Sequence, residues 1–568
     1  MIMENKLMIK LATVFSGIGA VEHALNRMDI DAEIVFACDN GDIDIFSKKI
    51  NVDMDQINDE LVILKSIIQD MEFSEDDSYE LQLLNMLNLA EGEYCELKEV
   101  LDDLNIDDRI AVIITILRNI IDSADLNKSR LDLFNGFIND FNSDYSLTEK
   151  KLILLQAILK LINDFKRENS VDDLGKEDVE FVSQYNIDWN SISILLKDMY
   201  DFLEGNNGRK LINRVRNLSQ RVSQLYGKID SLNHLNKVNQ LNDYSEKKKY
   251  VDELYKGNEK RNKVKTSYMA NYDCPEEHYH WDVTFLDGTQ YRNKIDLFVG
   301  GSPCQSFSSL GKKRGLSDTR GTLFYEYARL VDEIQPKVFI YENVRAVLSN
   351  DCGRTWEKMK EVFEQLGYNI FFTHEGKPSV LNAVDYGIPQ SRNRIFVVGF
   401  RSDLDLIKDF EFPKSIPLEH YLKDFLLDNA PEGSFLPERT LKFIESDEKD
   451  EIDEKYFLSE RIKKTILSSG PGGLYGEPEI DRDIALPLVS TMHKMHRAGT
   501  DNYVTTKGRI RRLTPREALR LMGFSDNWKI VVSDTPMYQQ AGNSIVVDVL
   551  VNILSQIIES YPSLITDI

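Results

Sequence analysis

Short apolar runs rich in β-branched and aromatic residues recur at both ends of the chain and are missing from its middle. Residues 9–15, 33–38, 295–299, 337–341 and 395–399 are such runs, each read as a strand. Helically spaced stretches, for example 321–334 and 355–366, lie between them. Strands that alternate with helices predict a mostly parallel sheet covered on both faces. The middle follows another period. Leu211, Val215, Leu218, Val222, Leu225, Ile229 and Leu232 advance by alternating steps of four and three, a heptad seam that predicts a coiled-coil-like helix. Residues 147–165 also read as an amphipathic or buried helix, and all 15 prolines fall at or after Pro275. The pattern therefore predicts an α/β domain interrupted by an all-helical insertion over residues 52–278.

Composition changes this picture little. At 568 residues with 42% apolar content, the chain can build several cores. The net charge of −25 argues on its face against a nucleic-acid partner, but it is unevenly placed. Residues 51–200 hold 13 Lys and Arg against 33 Asp and Glu, whereas residues 201–270 hold 15 against 8. Arg214, Arg221 and Lys228 recur beside the heptad seam as a basic stripe, which could meet phosphates or face the acidic segment. Five scattered cysteines make no disulfide framework and suit a reducing cytoplasm. No apolar run is expected to be long enough to cross a bilayer, and no secretory pattern is expected over Met1–Lys10.

Three loops beyond predicted strands carry candidate chemistry. Phe15-Ser16-Gly17-Ile18-Gly19 follows the first strand, where a glycine turn lets the backbone approach a ligand, and Asp39 ends the second strand, where such folds hold a ribose. Gly300-Gly301-Ser302-Pro303-Cys304 places a cysteine among small and polar residues, an unusual setting for a packing thiol. Glu342, in Tyr341-Glu342-Asn343-Val344, could act as an acid or cap a helix. Cys274, His278 and His280 lack an evident fourth ligand, and no metal is expected.

In this order the motifs resemble those of the DNA (cytosine-5)-methyltransferases. The resemblance covers residues 9–50 and about 280–560, and adds Asp282-Val283, residues 311–326 as a mobile loop, Gln390-Ser391-Arg392-Asn393-Arg394, Arg511–Glu517 and Gly542-Asn543-Ser544. It implies a Rossmann-like methyltransferase domain in three parts, residues 1–51, 279–400 and 509–568, with a linker and small target-recognition domain at 401–508. It implies S-adenosylmethionine as cofactor, held by Phe15, Gly17, Ile18, Gly19, Asp39, Asn40, Asp282, Val283, Gly301, Pro303, Leu323, Asn543 and Ser544. Cys304 would attack the base, Glu342 would protonate it, and Arg392 and Arg394 would orient Glu342 and contact the base. The implied substrate is double-stranded DNA with a flipped-out cytosine, and the implied setting a restriction-modification system or a phage or orphan enzyme. A cognate endonuclease, or self-association through the insertion, would supply a protein partner. An RNA cytosine methyltransferase and a catalytically silent DNA-binding protein are the alternatives. Ala20 replaces a frequent glycine, Asn40 replaces a frequent aromatic over the adenine, and Pro487-Leu488 stands nearest to the usual Thr-Leu pair.

Overall fold

The computed structural model describes residues 7–71, 78–104, 206–302, 323–427, 452–469 and 478–567. Pro303, Cys304, most of the expected mobile loop and the expected helix at 147–165 lie outside the described residues. The chain divides into two units, Met1–Ile43 with Leu235–Ile568, and Asp44–His234.

The first unit is built on a nine-stranded sheet. Its strands are β1 (Leu7–Val14), β2 (Asp31–Cys38), β3 (Tyr279–His280), β4 (Leu297–Gly300), β5 (Val338–Val344), β6 (Tyr368–Phe371), β9 (Val380–Asn382), β10 (Asn393–Arg401) and β13 (Thr566–Asp567). The pairs β7 (Thr373–His374) with β8 (Lys377–Pro378), and β11 (Tyr503–Thr506) with β12 (Arg509–Arg512), form separate hairpins. The main order is β3-β2-β1-β4-β5-β10-β6; the first five strands run parallel, and β10 is antiparallel to both its neighbours. The central strands read as unbroken apolar runs because both faces are covered. Leu11, Val299 and Ile340 face a core shared with helices α1 (Ala20–Arg27) and Val547–Ser560, while Val14, Phe298 and Phe339 face a core shared with helices Leu323–Ile334 and Arg354–Glu364. Strand order reverses between β1 and β4, so their carboxyl ends open a crevice where such sheets hold ligands.

In the second unit α2 (Met54–Asp70), α3 (Ser78–Leu104) and most of α4 (Asn206–Gln240) carry the helical insertion. All seven heptad-seam residues of α4 are buried. Arg214 of the basic stripe binds Glu93 at 2.7 Å and Glu96 at 2.9 Å, and Tyr226 donates to Glu60 at 2.6 Å. The seam is thus internal, and this member of the stripe pairs with acidic residues at a partly exposed position.

Two features bear on these expectations. Residues 235–278 cluster with the sheet unit rather than with Asp44–His234. The reason is a set of polar anchors. α5 (Tyr244–Tyr255) and α6 (Lys263–Asn271) carry Tyr255, Asn262 just before α6, and Tyr268, which bond to Asp282, Asp39 and Glu22. Second, the stretch Asp534–Ser560 is long and apolar enough by composition to cross a membrane, with a mean hydropathy of 1.6. It folds as two helices broken at Ser544, and the second packs on α1, where Arg27 bonds Asp548 at 2.8 Å. A mostly buried core helix accounts for its composition.

Candidate active site

The crevice at the ends of β1 and β4 holds a cavity of about 50 Å³, lined by Phe15, Gly17, Gly301, Glu342, Asn543 and Ser544 among others. Phe15 and Gly17 both sit at φ 54°, a left-handed turn that aims their backbone at the cavity. Gly19 follows at φ 77° and caps α1; a Cβ there would stand 2.1 Å from the Tyr272 ring, whose hydroxyl donates to the Gly19 carbonyl at 2.7 Å. Ile18 points away into the core. Asp39 accepts from the amides of Gly17 at 2.9 Å and Gly41 at 2.8 Å. Burial nonetheless lifts its pKa to about 6, with the two amides pulling the other way. A carboxylate fixed from two sides and still half-exposed suits a diol such as a ribose.

Glu342 enters the cavity from β5. It pairs with Arg394 of β10 at 3.0 Å, because antiparallel register sets Phe396 opposite Glu342 and brings the Arg394 side chain alongside. Burial raises the Glu342 pKa, against the opposing pull of Arg394 and Arg392. A Cβ on Gly301 would meet the Glu342 carboxylate at 2.8 Å, so the glycine allows this close approach. Asn343, on the other face of β5, donates to the Ser302 carbonyl at 2.9 Å and the Tyr341 hydroxyl at 2.8 Å, and Tyr341 bonds the Ser302 hydroxyl at 2.7 Å. These bonds fix the backbone two residues before Cys304.

Arg392 does not bond to Glu342. Its buried guanidinium donates to the carbonyls of Leu488 at 2.8 Å, Gly542 at 2.9 Å and Ser544 at 2.9 Å. Gln390 clamps the same segment, accepting from the Leu488 amide at 2.9 Å and donating to the Leu521 carbonyl at 2.7 Å. The two residues tie the approach to β10 to the Leu488 segment and the C-terminal loop. Arg511 and Glu517 are fully buried and 2.8 Å apart, and Glu517 also accepts from the Thr514 amide at 2.7 Å.

Asp282 and Val283 lie on the adjacent turn after β3. Asp282 accepts from the Thr284 amide and from the Tyr255 hydroxyl, both at 2.9 Å. Asn40 folds locally, its side chain accepting from the Asp42 amide. Leu323 opens the helix after the expected loop and is half-buried. Tyr255, Asn262, Tyr272 and Tyr279 lie outside the motifs. The one sequence signal for the three tyrosines is a crowding of that residue, seven between residues 244 and 291 of 24 in the chain. Cys274, His278 and His280 bond to separate partners, and no group of three metal-binding side chains occurs among the described residues.

Residues 243–559 match the family model for C-5 cytosine-specific DNA methylases. The type II methyltransferase M.HhaI of Haemophilus parahaemolyticus is 38% identical over 270 residues, covering 46% of this chain and 77% of its own. The type II methyltransferase M.Eco47II of Escherichia coli is 36% identical over 288 residues, 47% of this chain and 64% of its own. Among solved structures, the S. pombe Dnmt2 methyltransferase aligns over 52% of this chain and 87% of its own, at 17% identity and a TM-score of 0.37.

Proposed function

This chain belongs to the C-5 cytosine-specific DNA methylase family, and on that premise we propose that Cys304 is its nucleophile and Glu342 its acid. Its activity is DNA (cytosine-5) methylation with S-adenosylmethionine as donor. The bound cofactor supplies an electrophilic methyl group. Everything else falls to the chain's own residues.

Carbon 5 of cytosine is too poor a nucleophile to take that methyl unaided. Addition of the Cys304 thiolate to carbon 6 forms a carbon–sulfur bond and leaves an enamine whose carbon 5 can attack. Glu342 gives its proton to ring nitrogen 3 as the ring loses aromaticity. A carboxyl with raised proton affinity, steered by Arg394, suits that task. Once carbon 5 is methylated its proton passes to solvent, the carbon–sulfur bond breaks to regenerate the thiolate, and ring nitrogen 3 returns its proton to Glu342. The base must leave the stack for any of this to occur. The residues fit the cofactor: the Phe15–Gly19 turn offers backbone, Asp39 an acceptor for ribose hydroxyls, and Asp282 one for the adenine amine.

The observation that carries the reading is Glu342, braced by Arg394, in the wall of the same cavity that Phe15, Gly17 and Asn543 line. The test is transfer of labelled methyl to duplex DNA and to transfer RNA by the full chain and by Glu342→Gln. Rapid transfer to duplex DNA, lost in the variant, is expected; transfer to RNA alone would overturn the substrate. The relatives' type II naming supports a modification role beside a restriction endonuclease, in the cytoplasm. Self-association through the insertion would have to use its outer faces, since the seam is already buried.

A further inference from the structure

We infer that Tyr255, contributed by helix α5 outside the motif set, positions Asp282 and thereby sets the enzyme's preference for the adenine of its cofactor. The inference rests on the reading of Asp282 as the adenine-contacting acid. Tyr255 is 1% exposed and stacks on Trp281, with ring centroids 5.0 Å apart and planes 7° from parallel. Its hydroxyl donates to Oδ2 of Asp282 at 2.9 Å, while the Thr284 amide holds Oδ1 at 2.9 Å. Asp282 itself remains half-exposed. The tyrosine thus stands behind the carboxylate and the open side is left for a donor from a ligand. Lys265 lies 5.2 Å from the Trp281 ring centroid, within cation–π distance of the stack.

A carboxylate held on both oxygens presents acceptors only, so it accepts an exocyclic amine and repels the 6-oxo group of hypoxanthine. Without the tyrosine hydroxyl the carboxylate can turn, and the discrimination weakens. Tyr255→Phe keeps the ring and its stack on Trp281, removing one oxygen.

The experiment measures, on the full chain, dissociation constants for S-adenosylhomocysteine and for its hypoxanthine analogue. Tyr255→Phe is expected to weaken the adenine ligand about tenfold and the analogue far less, so that their ratio falls. Asp282→Asn should lower the ratio further, and the double variant should be no worse than Asp282→Asn alone. If Asp282→Asn lowers the ratio and Tyr255→Phe does not, the positioning role is overturned and the adenine reading stands. Equal weakening of both ligands by Tyr255→Phe would mean lost packing, and also overturns the role. If Asp282→Asn leaves the ratio unchanged, the adenine reading fails first and the inference falls with it.

Discussion

Replacing Arg392 by lysine separates the two roles this residue could have. Its guanidinium spans three backbone carbonyls, of Leu488, Gly542 and Ser544, at 2.8–2.9 Å, from a position only 3% exposed. A lysine keeps the charge but reaches with one nitrogen and cannot match a planar fork. About two of the three bonds should be lost, each worth roughly 1.5–3 kcal/mol for a charged donor. Partial repair by repacking or water should leave a net loss of about 2–4 kcal/mol. For a unit of this size that lowers the melting midpoint by about 3–5 °C. Glu342 keeps Arg394 at 3.0 Å, so the single-turnover rate below the new midpoint should fall less than about tenfold. Arg394→Lys should show the reverse, near-native melting with a single-turnover rate reduced about a hundredfold. The assays are thermal unfolding and single-turnover methyl transfer at fixed temperature. An Arg392→Lys protein that melts like the parent yet cannot methylate would refute the bracing role and restore direct contact with Glu342 or the base.

Two carboxylates, Asp39 and Glu517, carry further predictions. With Asp39 near pKa 6, cofactor binding needs its ionised form, since a protonated carboxyl offers fewer acceptors to the ribose hydroxyls. The dissociation constant for S-adenosylhomocysteine should be flat above about pH 7 and rise about tenfold per unit below pH 6, and Asp39→Asn should flatten the profile; a flat parent profile down to pH 5 would count against Asp39 as the ribose acid. Glu517→Gln removes the carboxylate beside the fully buried Arg511 and should destabilise the sheet unit by about 3–5 kcal/mol, read from urea midpoints. A loss below about 1 kcal/mol would show the pair to be replaceable.

The parts of the site written in consecutive residues were legible in the sequence. A strand, a Phe15–Gly19 turn and a helix lie within thirty residues, and Glu342 follows its strand directly. Arg392 misleads because the spacing to Arg394 suggests two side chains on one face of a strand. Strand β10 begins only at Asn393, so Arg392 escapes that alternation and turns to the C-terminal loop. Tyr255 was illegible for another reason: 27 residues separate it from Asp282, and only folding brings them together.

The central claim is that Cys304 makes and breaks a bond to carbon 6 of cytosine. Duplex DNA carrying 5-fluorocytosine at the methylated site, incubated with S-adenosylmethionine and the full chain, tests it most directly, because fluorine in place of the carbon 5 proton blocks release of the thiolate. The account predicts a denaturation-resistant protein–DNA adduct whose cross-linked peptide contains Cys304, absent with Cys304→Ser although that variant still binds DNA. An adduct that forms equally well with Cys304→Ser would contradict it.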